Sequence, residues 1–245
     1  MNRGAWIALL AALAFATIFV ARLPAAWFIT PSGTKGSCTE VTGTVWEGEC
    51  AGFVSGRIAL DELHWDVHPA RILLGQLAAT LSATRGAGTV RADVGLGLGG
   101  RMTASNVLAD FPLDRSLAAV LPASLTGRAH IDAKRAVIER GAITSLEGRL
   151  EVHDLTDHSE HTTPLGSYVI TFPGGEGEPT GKIRDLSGPL AVEGTLRFTH
   201  SPPGYDLSGL VGIRAGAPPE LVNAIRFLGS PDSTGRRPFA LTGTF

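Results

Sequence analysis

Along most of the chain, apolar and polar residues alternate with a period of two, and glycine notches the alternation. A five-residue unit recurs: aliphatic, any, Gly, any, aliphatic or small. It reads VTGTV (Val41–Val45), VSGRI (Val54–Ile58), LTGRA (Leu125–Ala129), LEGRL (Leu146–Leu150), VEGTL (Val192–Leu196), LSGLV (Leu207–Val211) and LTGTF (Leu241–Phe245). Successive strand side chains point to opposite faces, so the first, third and fifth positions share one face and Thr, Ser, Arg, Glu and His take the other. Each unit predicts an amphipathic strand with glycine on its apolar side, where glycine marks a bend or a close backbone approach. The irregular spacing predicts hairpins of varied length and excludes a strict solenoid. Further strands are predicted at Leu77–Thr84, Thr89–Leu96, Arg101–Asn106, Ser167–Phe172 and Gly181–Asp185.

The stretch Val41–Ser82 reads as three strands, a short apolar bend and a fourth strand. Within it Leu63, Trp65 and Val67 share one face and His64, Asp66 and His68 the other. Trp46 and Trp65 are core or interaction candidates, because tryptophan in a half-polar strand normally faces a core. Two short helices are predicted. One lies around Pro112–Leu121, capped by Asp110; the other is Pro218–Leu228, with Leu221, Ile225 and Leu228 on one face and Gly229 as its stop.

The first segment breaks the strand pattern. Gly4–Ala21 carries no charge, Arg3 and Arg22 flank it, and Trp6 and Trp27 stand near its ends. Such a run predicts one transmembrane helix with interfacial tryptophans. No small-x-small cleavage site follows it, so an uncleaved anchor is expected rather than a signal peptide. The predicted organisation is residues 1–30 as anchor with a short cytoplasmic tail, 31–37 as linker and 38–245 as a β-rich domain outside the cytoplasm. The fold class is all-β: one helix, then a long, curved, mostly antiparallel sheet with two short helices.

Composition agrees with a sheet protein. Glycine occurs 31 times, charged residues make up 18%, and the net charge is −2, which lacks the basic footprint of a nucleic-acid binder. If the chain is exported, Cys38 and Cys50 are expected to form a disulfide, since two cysteines cannot build a structural zinc site alone. Candidate chemistry is sparse. Gly95–Gly100 matches G-x-G-x-x-G but lacks the strand–helix context of a dinucleotide site, so a hairpin turn is expected. His64, Asp66 and His68 share a strand face and offer metal-ligand chemistry, but the expected role is the wet side of the strand. His153, Asp154, Asp157, His158, Glu160 and His161 gather metal-ligand types within one loop, and the expected role is again a flexible polar loop that binds nothing. Nucleophile-elbow, phosphate-loop, zincin and C-x-x-C motifs are absent. No catalytic residue, metal or cofactor is therefore expected. Amphipathic strands ending in Phe245 also suit an outer-membrane barrel, but short glycine-broken strands lack its tall apolar band.

The elements GTVWEG (Gly43–Gly48), L-x-W-x-x-x-P-A-R-x-L-L-G (Leu63–Gly75) and LGSPDSTGRRPF (Leu228–Phe239) occur in that order behind the apolar segment. In these the chain resembles the type II secretion system protein N family. The resemblance implies a single-span inner-membrane protein with a β-rich periplasmic domain, acting as an accessory, non-enzymatic part of the secretion machine. Its implied partners are the inner-membrane platform, the coupling protein and the outer-membrane secretin. Leu228 and Phe239, which bound the last element, join the tryptophans as core or interaction candidates. The inward aliphatic row supports an alternative: an anchored periplasmic groove that binds or transfers lipid, resembling AsmA-like proteins.

Overall fold

The computed structural model describes residues 3–27, 36–56, 58–72, 74–97, 99–114, 122–159, 161–175 and 177–244. The fold is all-β, built from antiparallel neighbours with few helices. The chain divides into two compact units, Met1–Gly86 and Ala87–Phe245.

The first unit opens with α1 (Arg3–Ala21) and a 3-10 turn at Ala25–Trp27. Then come β1 (Glu40–Gly43), β2 (Glu47–Ser55), β3 (Ile58–Val67), the single turn α2 (Pro69–Ile72) and β4 (Gln76–Arg85). Each strand pairs antiparallel with the next. Trp6, Ile7, Leu10, Leu13, Phe15 and Ile18 of α1 are exposed. Among the described residues no helix is long and apolar enough to cross a membrane; the α1 side chains at positions 3–5, 8 and 9 fall outside that set. Most of the expected linker is likewise outside it, and Ser37 already forms a bridge with Val54.

The second unit continues as a meander: β5 (Gly88–Gly97), β6 (Met102–Leu113), β7 (Leu125–Glu139), β8 (Ala142–Asp157), β9 (Thr163–Pro173), β10 (Thr180–Ser187), β11 (Leu190–His200) and β12 (Pro203–Ile213). After α3 (Pro219–Ala224) and a 3-10 turn (Ile225–Phe227), β13 (Arg237–Thr244) closes the order beside β12. One row of directly paired residues crosses this unit from strand to strand: Val90, Ala109, Ile131, Leu150, Ile170, Ile183, Gly194, Gly209 and Phe239. Directly paired residues share a face, so the row is the backbone of one continuous apolar side. Ala109 and Ile183 in it are buried, whereas Ile131, Leu150 and Ile170 are half-buried. The sheet coils within the unit. His200 of β11 donates from Nε2 to the Ile143 carbonyl of β8 at 3.0 Å, three strands away, and the Phe172 and Phe198 rings stack at 5.7 Å.

Several expectations change in detail. Pro112 and Leu113 belong to β6, paired with Arg128 and Gly127, and the rest of the helix expected there lies outside the described residues. Strand pairing tolerates Pro112 because β5 reaches only Asp110, so beyond it β6 has a neighbour on one side alone. Asp110 is no cap: it pairs with Arg128 and faces His130 at 3.6 Å. The strand expected to end at Asn106 runs on to Leu113, because Asn106 bulges at φ 50°. One extra residue reverses the alternation, so Met102 and Ala104 before the bulge and Val107 and Ala109 after it stay on the apolar side. Two repeat units do not place glycine inside a strand face. Gly56 sits in the β2–β3 turn at φ 59°, and Gly43 ends β1 at φ 86°.

Candidate functional site

In the first unit, the tryptophans and the disulfide hold the β1–β2 corner. The Cys38–Cys50 disulfide closes a separation of 12 residues, and Cys50 is fully buried. Trp65 lies directly across from Gly48, and a Cβ on that glycine would stand 2.4 Å from the indole. The glycine is therefore a notch that lets the ring lie flat on the neighbouring strand. The Trp65 Nε1–H donates to the Thr44 carbonyl at 3.2 Å. Trp46, in the turn before β2, donates its Nε1–H to the Val20 carbonyl near the end of α1 at 2.8 Å. The Val45 amide adds a bond to the Leu23 carbonyl at 3.0 Å. The two rings are thus brought together around residues 44–46, with Trp46 fastening α1 to the sheet.

In the second unit, Leu228 and Phe239 flank the start of β13. Phe239 lies over a pair of facing glycines: a Cβ on Gly209 would meet its ring at 2.8 Å, and one on Gly194 at 3.4 Å. Gly181 beside Phe172 and Gly243 beside Tyr205 repeat the arrangement, at 2.7 and 2.6 Å. Leu228 ends the predicted helix, observed as α3 and its 3-10 turn; Leu221 is buried, while Phe227 is 91% exposed. Arg237 donates from Nη1 to the carbonyls of Leu228 and Gly229 at 3.0 and 2.7 Å, tying this segment to β13. β13 stands last in the strand order and pairs with β12.

The candidate chemical residues scatter. His64 faces Glu49 at 3.7 Å and Glu62 at 3.9 Å, all on an open, half-exposed strand face. These three, rather than His64 with Asp66 and His68, are the described residues whose ligand atoms converge. His68 faces Asp66 from Nδ1 at 3.9 Å and Thr80 Oγ1 from Nε2 at 3.3 Å, apart from that trio. Gly95 and Gly97 are in β5, and Gly99 and Gly100 turn the hairpin at φ 90° and 78°. The expected polar loop is largely strand, since β8 runs to Asp157. His153 pairs with Glu151 at 2.8 Å and His158 Nε2 contacts Thr126 at 3.0 Å, so these groups diverge; Glu160 lies outside the described residues.

One largely buried carboxylate escaped the sequence reading. Asp185 sits in phase with Gly181 and Ile183 on the apolar side, with its side chain 13% exposed. Burial pushes its carboxyl up, but the Arg214 guanidinium and the Val192 amide, which donates at 2.7 Å, hold it below its ordinary value. Arg214 also donates to the Gly188 and Leu190 carbonyls, both at 3.1 Å. Burial and the Asp185 charge push the Tyr168 hydroxyl up to about 12. The signal was a charged residue in an apolar phase.

The family model described as Type II secretion system (T2SS), protein N matches residues 36–240. The chain belongs to the type II secretion system protein N family. Among curated proteins, the "Type II secretion system protein N" of Vibrio cholerae serotype O1 (strain ATCC 39315 / El Tor Inaba N16961) is 26% identical over 252 aligned positions, covering 99% of each chain. No solved structure matches. The matched span takes in both cysteines, Trp46, Trp65, Leu228 and Phe239. Family membership makes the chain an accessory component of type II secretion, working among other subunits of that system.

Proposed function

We propose that the chain is a non-enzymatic, inner-membrane part of the secretion machine. Its sheet lies in the periplasm and contacts other subunits by strand addition at β13. The observation that carries this is the position of β13, last in an antiparallel meander. A terminal strand presents N–H and C=O groups along its outer edge, which another chain can pair with. Leu241 on this strand is 55% exposed, giving a partner an apolar contact beside the backbone. The tether is α1: 19 residues, about 28 Å long, over a stretch with no charge between Gly4 and Ala21. The platform, the coupling protein and the secretin are the partners to test. A photo-crosslinking residue at Leu241, in cells exporting type II substrates, is expected to capture one of them, and deletion of the gene to impair export. Normal export after deletion, or a Leu241 crosslinker that captures no machine subunit, overturns the proposal.

The half-buried middle of the apolar row favours a second reading, in which the coiled sheet shelters acyl chains. Phospholipid carried through purification and recovered by solvent extraction supports that groove; lipid-free protein contradicts it.

A further inference from the structure

We propose that α2 (Pro69–Ile72), with Leu74 and Gly75 after it, is a foot seated in the membrane interface, binding the lipid surface beside α1. The inference rests on the reading of α1 as a membrane anchor. Three observations place the foot there, all within the first unit.

The first is level. Pro69 and Trp46 line one cleft with Ala16, Thr17, Val20 and Ala21 of α1. At 1.5 Å per residue, Ala16 lies about 8 Å back from the end of α1 at Ala21. If α1 spans the hydrocarbon, a group facing Ala16–Ala21 stands at the boundary between acyl chains and headgroups. The second is chemistry. Ile72, Leu74 and Leu77 are 44%, 79% and 50% exposed, and Trp27 beside the same helix end is 63% exposed. Arg22 and Arg71 are also exposed and suit anionic headgroups. Exposed leucine and isoleucine accompanied by exposed tryptophan and arginine is the composition of an interfacial contact.

The third is the backbone. Amides entering a low-dielectric layer must carry their own partners. Here Arg71 N–H bonds to the His68 carbonyl at 3.1 Å, Leu74 to Arg71 at 3.0 Å and Gly75 to Ile72 at 2.9 Å. His68 N–H bonds to the Ala78 carbonyl at 2.8 Å and closes the base of the turn. The turn therefore brings apolar side chains to the interface with little desolvation cost. A lipid-seated foot on α2, together with the Trp46 bond to α1, would fix the tilt of the sheet's first hairpins relative to the bilayer.

The test uses the full chain in phosphatidylethanolamine–phosphatidylglycerol vesicles. Cys38 and Cys50 are bonded to each other, so single cysteines accept an environment-sensitive fluorophore without competition. Leu13→Cys reports the anchor and Leu74→Cys the foot. Glu62→Cys, about six residues and roughly 20 Å up β3, reports the sheet. Leu74 is largely exposed, so its replacement leaves the core intact. Lipids carrying a shallow nitroxide quencher are expected to quench position 74 several-fold more than position 62, and a deep quencher to act best on position 13. Quenching at 13 with position 74 no dimmer than 62 overturns the foot and leaves the anchor standing. No quenching at 13 overturns the anchor and the foot with it.

Discussion

At the scale of single residues, glycine and aromatic side chains form one device. A ring on one strand lies over a glycine on the next: Trp65 on Gly48, Phe239 on Gly209 and Gly194, Tyr205 on Gly243. The period-two pattern placed Gly194, Gly209 and Gly243 on the apolar side, but not Gly48, and the partners of all four depend on register, which one strand read alone does not contain. Gly209→Ala sets a methyl 2.4 Å from the Glu193 carbonyl oxygen and 2.8 Å from the Phe239 ring. It is expected to cost about 1–3 kcal/mol, the range for overpacking. Gly97→Ala, whose nearest neighbour is the Arg101 carbonyl oxygen at 3.7 Å, is the control and should change stability by less than about 0.5 kcal/mol. Urea midpoints of the two variants in detergent decide it. Asp185 supplies a second prediction. Its carboxyl is held below the ordinary value of 3.8 in the fold. The stability it contributes is thus fully present above that value and is lost as pH falls through the lower, folded-state value. Asp185→Asn is expected to cost about 1.5–3 kcal/mol at neutral pH, the range for a charged hydrogen bond. It should also flatten the loss of the urea midpoint between neutrality and strong acid.

At the scale of elements, strand existence was legible and strand length was not. β4, β5 and β10 fall close to the predicted ranges, because alternation and flanking glycines mark them locally. β6 and β8 ran on past their expected ends. In β6 a bulge keeps the apolar side continuous where the sequence alternation slips. In β8 His153, Thr156 and Asp157 remain paired in the sheet despite reading as loop, while Asp154 bulges at φ 51°. Proline at 112 pointed to a helix, and only the short reach of β5 explains why a strand accommodates it. The disulfide is the element-scale crosslink, joining the approach to β1 with the middle of β2. Its reduction is expected to cost about 3 kcal/mol in the chain-entropy model for so short a loop. Thermal unfolding with and without reductant should show the midpoint fall, and Cys38→Ser with Cys50→Ser should reproduce the fall without reductant.

At the scale of the whole molecule, each unit is a meander in which neighbours in sequence are neighbours in the sheet. That order leaves a terminal strand at β13 for another chain, and it leaves an apolar side that family membership alone would not reveal. No catalytic constellation was expected from the sequence, and the candidate ligands of the polar loop point to separate partners in the fold. The largely buried Asp185 carboxylate, which the sequence reading missed, is paired with the exposed Arg214 and braces the apolar side. In the proposed function the sheet lies beyond the inner membrane and α1 holds it there. The direct measurement is Ser233→Cys, in an exposed turn, treated with a membrane-impermeant maleimide in intact spheroplasts. The account predicts labelling before lysis, with the protein recovered in the membrane fraction. Labelling that appears only after the inner membrane is broken would contradict it.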